Sequence, residues 1–221
     1  MDACGCDGFN EIFDARTARH DLRRYREHGP DRTTVLLLKM LKAAGVADAT
    51  VLDVGAGIGA IDHELLASGA SRAILVDGAA AYQAADRQEA GARGTLDRLT
   101  FVEGDFVALA DGVEPADVVT LDRVVCCYPD MRGLVQASAT HARRLYGLVL
   151  PRDRAVIRWV LTLVNAWYRL RGRAYRAYVH PNAQVDAVVA QAGLRPTSEA
   201  TTMVWRVVLY ARPEVAVPSP T

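Results

Sequence analysis

The ten residues VLDVGAGIGA, 51–60, constrain the fold of this chain more than any others, because they run from an apolar strand through a glycine-rich turn into a helix. Such a turn lets the backbone approach a nucleotide closely. Two patterns overlap on it. Gly55, Gly57 and Ala60 satisfy the G-x-G-x-x-G/A dinucleotide fingerprint. Asp53, Gly55, Gly57 and Gly59 satisfy another, an acid two residues ahead of three alternating glycines. Ten residues alone leave the two open.

The surrounding rhythm narrows the choice. Strands are predicted at 51–54, 73–76, 99–102, 118–121 and 147–150, with helices at 58–67, 79–92 and 131–144 between them. That alternation is the βαβ pattern of a doubly wound parallel sheet, whose functional groups sit at the carboxyl ends of the strands. Ahead of it, 16–28 reads as a charged helix lying on the domain, and 33–44 as a helix with a wide apolar face that packs and carries no chemistry. A helix at 182–192 precedes LRPTSEATTMVWRVVLYARP, two β-rich runs with too little chain between them for a crossover helix. They form an antiparallel hairpin. The expected fold is therefore α/β, a Rossmann-like, mostly parallel seven-stranded sheet with a C-terminal antiparallel hairpin and N-terminal lid helices.

At 221 residues and 51% hydrophobic content the chain suits one main domain. An arm and lid helix over 1–32, a domain over 33–211 with a substrate-binding insertion at about 151–180, and a disordered proline-rich tail over 212–221 are expected. Its 26 basic and 26 acidic residues cancel, which removes the bulk electrostatic case for nucleic acid. Only Lys39 and Lys42 are lysines, so the arginine excess reads as coding bias. The polar, acidic start does not show the pattern expected of a cleavable signal, and the most apolar run, 155–170, is interrupted by Arg158 and Asn165 and too short to span a bilayer, so a cytoplasmic location is expected. Cys4 and Cys6, and the neighbours Cys126 and Cys127, have neither disulfide-framework nor zinc spacing and are read as thiols, with no metal site.

Over 50–150 the chain resembles the class I S-adenosylmethionine-dependent methyltransferases. The carriers of the resemblance are the turn with Asp53, then AILVDG ending in Asp77, EGDF at 103–106, and LDRVVCCYPD at 121–130. Within that class it is most similar to small-molecule O-methyltransferases related to the magnesium-protoporphyrin and ubiquinone-pathway enzymes, through RRYREHG, the pair Tyr128-Pro129 and AYVHPNAQVDAVVAQAGL. It departs from the porphyrin enzymes in carrying Cys127 where they have a histidine before the tyrosine.

The resemblance implies S-adenosylmethionine as cofactor and S-adenosylhomocysteine as product. Asp53 would order the methionine ammonium, with Gly55, Ala56, Gly57 and Gly59 beside the homocysteine moiety. Asp77 and Gly78 would take the ribose hydroxyls, and Gly104, Asp105 and Phe106 the adenine. Asp122 and Arg123 end the fourth strand near the methyl, where Cys127 and Tyr128 follow. As proton acceptor His180 is the first choice, with Tyr25 and His28 of the lid as others, while His141 reads as a solvated surface histidine.

The segment 151–180 carries seven arginines, one acid and an aromatic set, a composition suited to an aromatic or hydrophobic acceptor, with or without negative charge. Arg152, Trp159, Tyr175 and Tyr178, with His28, are its candidate contacts. Methylation of a hydroxyl or carboxylate in secondary metabolism, by a monomer or homodimer, is the expected function. Alternatives are a membrane-surface helix over the apolar run, a metalloid methyltransferase using the cysteine pairs, and a cofactor binder or recruited fold that methylates nothing.

Overall fold

In the computed structural model, which describes residues 12–213, seven strands form one sheet in the order β3-β2-β1-β4-β5-β7-β6. They are β1 (Thr50–Val54), β2 (Arg72–Asp77), β3 (Leu99–Glu103), β4 (Ala116–Asp122), β5 (Ala142–Pro151), β6 (Arg195–Thr201) and β7 (Trp205–Ala211). The first five are parallel to one another. β7 inserts antiparallel beside β5, with Leu145 opposite Ala211 and Pro151 opposite Trp205, and β6 returns antiparallel along its far edge. Winding outward from β1 through β2 to β3, and then from β4 to β5, reverses direction between β1 and β4, which opens a crevice at their carboxyl ends.

The helices, in chain order, are α1 (Ala15–His28), α2 (Arg32–Ala44), α3 (Ala60–Ala67), α4 (Ala80–Arg93), the single turn α5 (Phe106–Leu109), α6 (Met131–His141), α7 (Ala155–Leu170) and α8 (Asn182–Gln191). Strand alternation sends Val51 and Leu52 to opposite faces of the sheet. Val51 joins Leu37, Leu41 and Leu65 from α2 and α3 in one layer. Leu52 joins Leu134, Val135 and Val188 from α6 and α8 in the other. A third, smaller cluster of Ala18, Leu22, Tyr25, Tyr82 and Ala85 fastens α1 onto α4, so the lid rests on the same helix that follows β2.

The alternation and the closing hairpin match the expectation, most boundaries fall within two residues of it, and the junction of α6 and β5 differs by more. The helix expected over 131–144 ends at His141, and Ala142 to Leu145 already belong to β5. Arg143 and Arg144 are exposed there, so on charge pattern they extend the polar face of α6. Pairing decides against that: Ala142 lies opposite Ala116 and Leu145 opposite Val118, and a ten-residue strand is needed to hold both β4 and β7. The proline-rich tail from 214 onward, and Cys4 and Cys6, lie outside the described residues.

Gly147 sits where α2 crosses β5, and a Cβ there would lie 2.8 Å from Leu37 Cδ1. Leu37 is fully buried at that crossing. Leu37→Ala is expected to lower unfolding free energy by about 2–5 kcal/mol through lost burial and an unfilled cavity, read from urea midpoints; a loss below about 1 kcal/mol would contradict this packing.

Candidate active site

Asp53, at the end of β1, is buried and accepts from Thr120 Oγ1 of β4 at 2.6 Å. The glycine turn follows at once, and side chains could not replace its hydrogens at two positions. Gly55 has φ +71°, and a Cβ would fall 2.4 Å from Val124 Cγ2; Gly59 has φ +71°, and a Cβ would fall 2.4 Å from Asp86 Oδ1. Asp77, ending β2, takes the Gly57 N–H on Oδ2 at 2.8 Å and the Ala79 N–H on Oδ1 at 2.7 Å. One carboxylate thus ties the first turn to the second. Asp105 caps α5 by accepting from Val107 N, and its Oδ2 accepts from Tyr128 OH at 2.8 Å.

These strand ends line a cavity of about 470 Å³, within the range of small-molecule sites. Its wall includes Asp53, Gly55, Ala56, Gly57, Asp77, Gly78, Gly104, Asp105, Phe106, Asp122, Arg123, Cys127, Tyr128 and Tyr175. Gly59 shapes the turn from behind and does not line it. Phe106 presents one side to the cavity and packs edge-on to His141 at 5.4 Å.

The roof comes from the chain before β1. Tyr25 is buried, lines the cavity and donates to Glu64 at 3.3 Å. Tyr82 of α4 donates to Asp21 of α1 at 2.6 Å. Asp31 binds Arg24 of the lid and also Arg123 Nη1, at 2.7 Å, at the end of β4. Those two guanidinium groups hold its carboxyl down at about 2, Arg24 the larger cause. Arg123 itself adopts φ +63°, uncommon for a residue with a side chain, and also pairs with Asp122. Thr34 Oγ1 donates to Asp122 Oδ2 at 2.5 Å and lines the cavity, so α2, read from its pattern as packing alone, contributes its first turn to the site. No motif marks Asp21, Arg24, Asp31, Thr34 or Tyr82 as a site residue in the sequence; the one local signal is the HGPDRT turn, 28–33, which holds Asp31.

Burial dominates the electrostatics. It pushes Asp53 up to about 7, with the charges of Asp122 and Asp77 adding and Thr120 opposing. It also raises Asp77 and Asp122, against the N–H donors on the first and Arg123 and Thr34 on the second. Behind the turn, Asp62 is fully buried, and its carboxyl is raised well above the usual range by burial and then by Asp53 and Asp86. His63 Nε2 lies 3.0 Å from Asp86 Oδ1 in the same cluster.

Several expected contacts lie elsewhere. His180 is outside the cavity wall: its Nε2 donates to the Tyr128 carbonyl at 3.0 Å and its ring stacks on Tyr178, so it braces the turn that carries Tyr128. Tyr178 joins that brace through its N–H to the Cys126 carbonyl at 2.7 Å. His28 is exposed beyond the roof, and Trp159 is 66% exposed on the outer face of α7. Arg152 donates to the Thr202 carbonyl. Of the other arginines of the segment, Arg158 pairs with Asp153, Arg171 lies over Trp167 and Arg176 donates to the Arg173 and Tyr175 carbonyls, and none of the seven lines the cavity. His141, expected to be solvated, has both ring nitrogens against carbonyls, of Ala137 and Ala110, and bridges α6 to the turn after α5.

The two cysteines converge, although neighbours on a strand would diverge. A 3-10 turn at Val125–Cys127 brings their sulfurs to 3.7 Å, and Cys127 Sγ lies 3.0 Å from Tyr175 OH. The shared hydrogen bond lowers the Cys127 thiol, helped by Tyr175, and raises that of Cys126.

No protein-family model and no curated protein sequence matches the chain. Solved structures do. Magnesium protoporphyrin IX methyltransferase from Synechocystis PCC 6803, solved with bound SAH, superposes with a TM-score of 0.71 at 17% identity, covering 95% of this chain and 100% of that one. An O-methyltransferase family protein from Burkholderia thailandensis gives 0.67 at 17% identity over 89% of this chain and 58% of that one. An O-methyltransferase family 2 protein from Planctomyces limnophilus DSM 3776, in complex with apigenin, gives 0.62 at 18% identity over 88% and 61%. The fold of this chain is that of the class I methyltransferases.

Asp53 carries a pH dependence of stability. Its folded pKa near 7 lies above the ordinary 3.8, so the native chain holds a proton that the unfolded chain releases. Between those values the folded state binds more protons, and stability falls as pH rises. The fall is expected to be on the order of 1 kcal/mol per pH unit in urea titrations from about pH 4 to 7, and Asp53→Asn is expected to reduce it. An unchanged slope in that variant would contradict the assignment.

Proposed function

With the class I methyltransferase fold as the premise, we propose that this chain transfers a methyl group from S-adenosylmethionine to a hydroxyl or carboxylate of a small aromatic or hydrophobic acceptor. One observation carries the reading: three strand-end acids, Asp53 buried and Asp77 and Asp122 partly buried, converge on a glycine turn in one cavity, each with its ionised form penalised by desolvation. Such a cradle favours a cationic ligand, which restores the lost solvation of its carboxylates. Asp53 receives the ammonium of the cofactor. Asp77 uses one lone pair on each oxygen for Gly57 and Ala79 and keeps the second for the ribose hydroxyls. Asp105 and Phe106 border the adenine, with Gly78 and Gly104 admitting it closely.

When bound, the cofactor supplies a methyl group already activated on a sulfonium. The chain's own work is alignment and the exclusion of water. Tyr25, Tyr82, Tyr128, Tyr175 and Trp205 supply the aromatic wall, and Asp31 with Arg24 and Arg123 closes the lid over it. With none of the arginines of 152–176 lining the cavity, the wall favours a hydrophobic acceptor over a strongly anionic one. Among the described residues no histidine lines the cavity. An acceptor that arrives ionised, such as a carboxylate, needs no base; a hydroxyl would need the thiolate form of Cys127, which the lowered pKa favours, to take its proton and become the neutral thiol.

The experiment that tests this is incubation of the purified chain with methyl-labelled S-adenosylmethionine and small-molecule extracts, with mass spectrometry of labelled products. A labelled small molecule supports the reading; cofactor binding without any labelled product moves it to a non-methylating binder. Asp77→Ala is expected to weaken binding of S-adenosylhomocysteine by about 1–3 kcal/mol, since a buried double acceptor is lost. Wild-type affinity in calorimetry for that variant would remove the cofactor assignment.

The 3.7 Å approach of the sulfurs favours a second reading, in which Cys126 and Cys127 hold a soft metalloid for methylation. Among the described residues no group of three or more His, Cys, Asp and Glu could hold a metal ion, and the first reading stands ahead. Cys127→Ser is accordingly expected to keep methylation of an acceptor that arrives ionised within roughly tenfold of wild type. A loss of a hundredfold or more in Cys127→Ser alone would make this thiol the base. Arsenite-dependent consumption of S-adenosylmethionine, lost in both Cys126→Ser and Cys127→Ser, would install the second reading instead.

A further inference from the structure

Helix α7 turns an apolar stripe to the outside. Val156, Trp159, Val160, Leu163, Trp167 and Leu170 are its exposed large side chains, spaced three or four residues apart apart from one adjacent pair, so they share one face. Leu170 is 87% exposed. This face cannot roll inward, because the opposite one is fastened. Ile157 is buried, Asn165 exchanges two hydrogen bonds with the Ala177 backbone, and Tyr168 packs edge-on to Tyr175 at 5.7 Å.

The stripe continues beyond the helix. Met203, 84% exposed, and Val204 form the turn between β6 and β7, and Arg152, just ahead of α7, bonds that turn through its N–H to Val204 and its side chain to Thr202. Arginines frame the face: Arg154 and Arg158 near its start, Arg169, Arg171 and Arg173 at its end. Between 151 and 180 the one acid is Asp153, and Arg158 neutralises it at 3.2 Å.

We propose that this face, α7 with the β6–β7 turn, is a docking surface for an anionic lipid bilayer, on which the helix lies in the plane of the headgroups. An amphipathic helix with tryptophan and leucine on one side and arginine at its flanks has that affinity, the tips entering the acyl boundary and the guanidinium groups meeting phosphates. No helix among the described residues is long and apolar enough to cross a membrane, so the contact is one of lying on the surface. Charge argues for lipid over a second copy. A two-fold contact through α7 would set this arginine-rich face against itself with its one acid already paired. The surface also adjoins the site: Tyr175, shortly after α7, and Trp205, at the end of the β6–β7 turn, both line the cavity. A lipid-dissolved acceptor would reach the aromatic wall from the docked side; this consequence rests on the methyl-transfer reading, the docking itself does not.

Co-sedimentation of the full chain with vesicles of phosphatidylcholine alone, or of phosphatidylcholine with phosphatidylglycerol, tests the surface. At least tenfold greater retention on the anionic vesicles is expected, weakening as salt shortens the Debye length, with a blue shift of tryptophan emission. The outward pair Trp159→Ser and Leu163→Ser is expected to lower retention at least tenfold, with melting temperature and binding of S-adenosylhomocysteine in lipid-free solution unchanged. Equal retention on both vesicles, retention on neither, or full retention of the double variant overturns the proposal. So does a wild-type dimer in light scattering that the double variant dissolves, which would give the face to a second copy. Anionic retention without any binding of S-adenosylhomocysteine supports the surface and removes the methyl-transfer reading, so the two fail separately.

Discussion

The carboxylate of Asp77 is the interaction on which the site depends. It ends β2, yet its partners are the backbone N–H groups of Gly57, in the turn after β1, and Ala79, at the entry to α4. Charge-assisted bonds to two backbone donors in a mostly dehydrated place are strong and directional. They fix the spacing of two neighbouring strand ends that sheet pairing alone leaves free to splay. Gly55 and Gly59 then become obligatory. The turn must pass Val124 on one side and Asp86 on the other, at distances no Cβ could occupy.

Around that tie the chain concentrates buried acid. Asp53, Asp62 and Asp86 lie within one electrostatic neighbourhood, and desolvation raises all three. Burying carboxyl groups without matching cations costs stability, which ordinary packing has no need to incur. The lid answers a different part of the same field. Asp31, held by Arg24 and Arg123, spans 92 positions of sequence between the entry to α2 and the end of β4, and it keeps the Arg123 guanidinium beside the cavity without leaving it unpaired. Roof and floor are thus joined by ionic contacts, which can part and reform for ligand exchange more readily than a packed core.

Much of the floor was legible because its signals are local. An acid after a strand, glycines in a turn and a period-two apolar run each report their own neighbourhood, and their order along the chain reproduced the sheet and its closing hairpin. What failed was non-local. Arg143 and Arg144 extend a helical charge pattern that pairing with β4 and β7 overrides. The partnership of Asp31 with Arg123, and of Thr34 with Asp122, joins segments about ninety residues apart and leaves no periodic trace. Composition also misled: seven arginines and several aromatics in one segment read as a pocket, whereas only Tyr175 of that set lines the cavity and Trp159 and Trp167 are exposed on the helix. His180 went the same way, its ring nitrogen spent on the Tyr128 carbonyl. The cysteines converge because a 3-10 turn follows the fourth strand there; extended backbone would send neighbouring side chains to opposite faces.

A crystal structure of the chain with S-adenosylhomocysteine decides whether the strand-end acids and the glycine turn cradle the cofactor. The ribose hydroxyls are expected on Asp77, the amino-acid end at the turn near Asp53, and the adenine between Asp105 and Phe106. Ligand density elsewhere on the molecule, or an adenosine whose ribose does not meet Asp77, would contradict that placement.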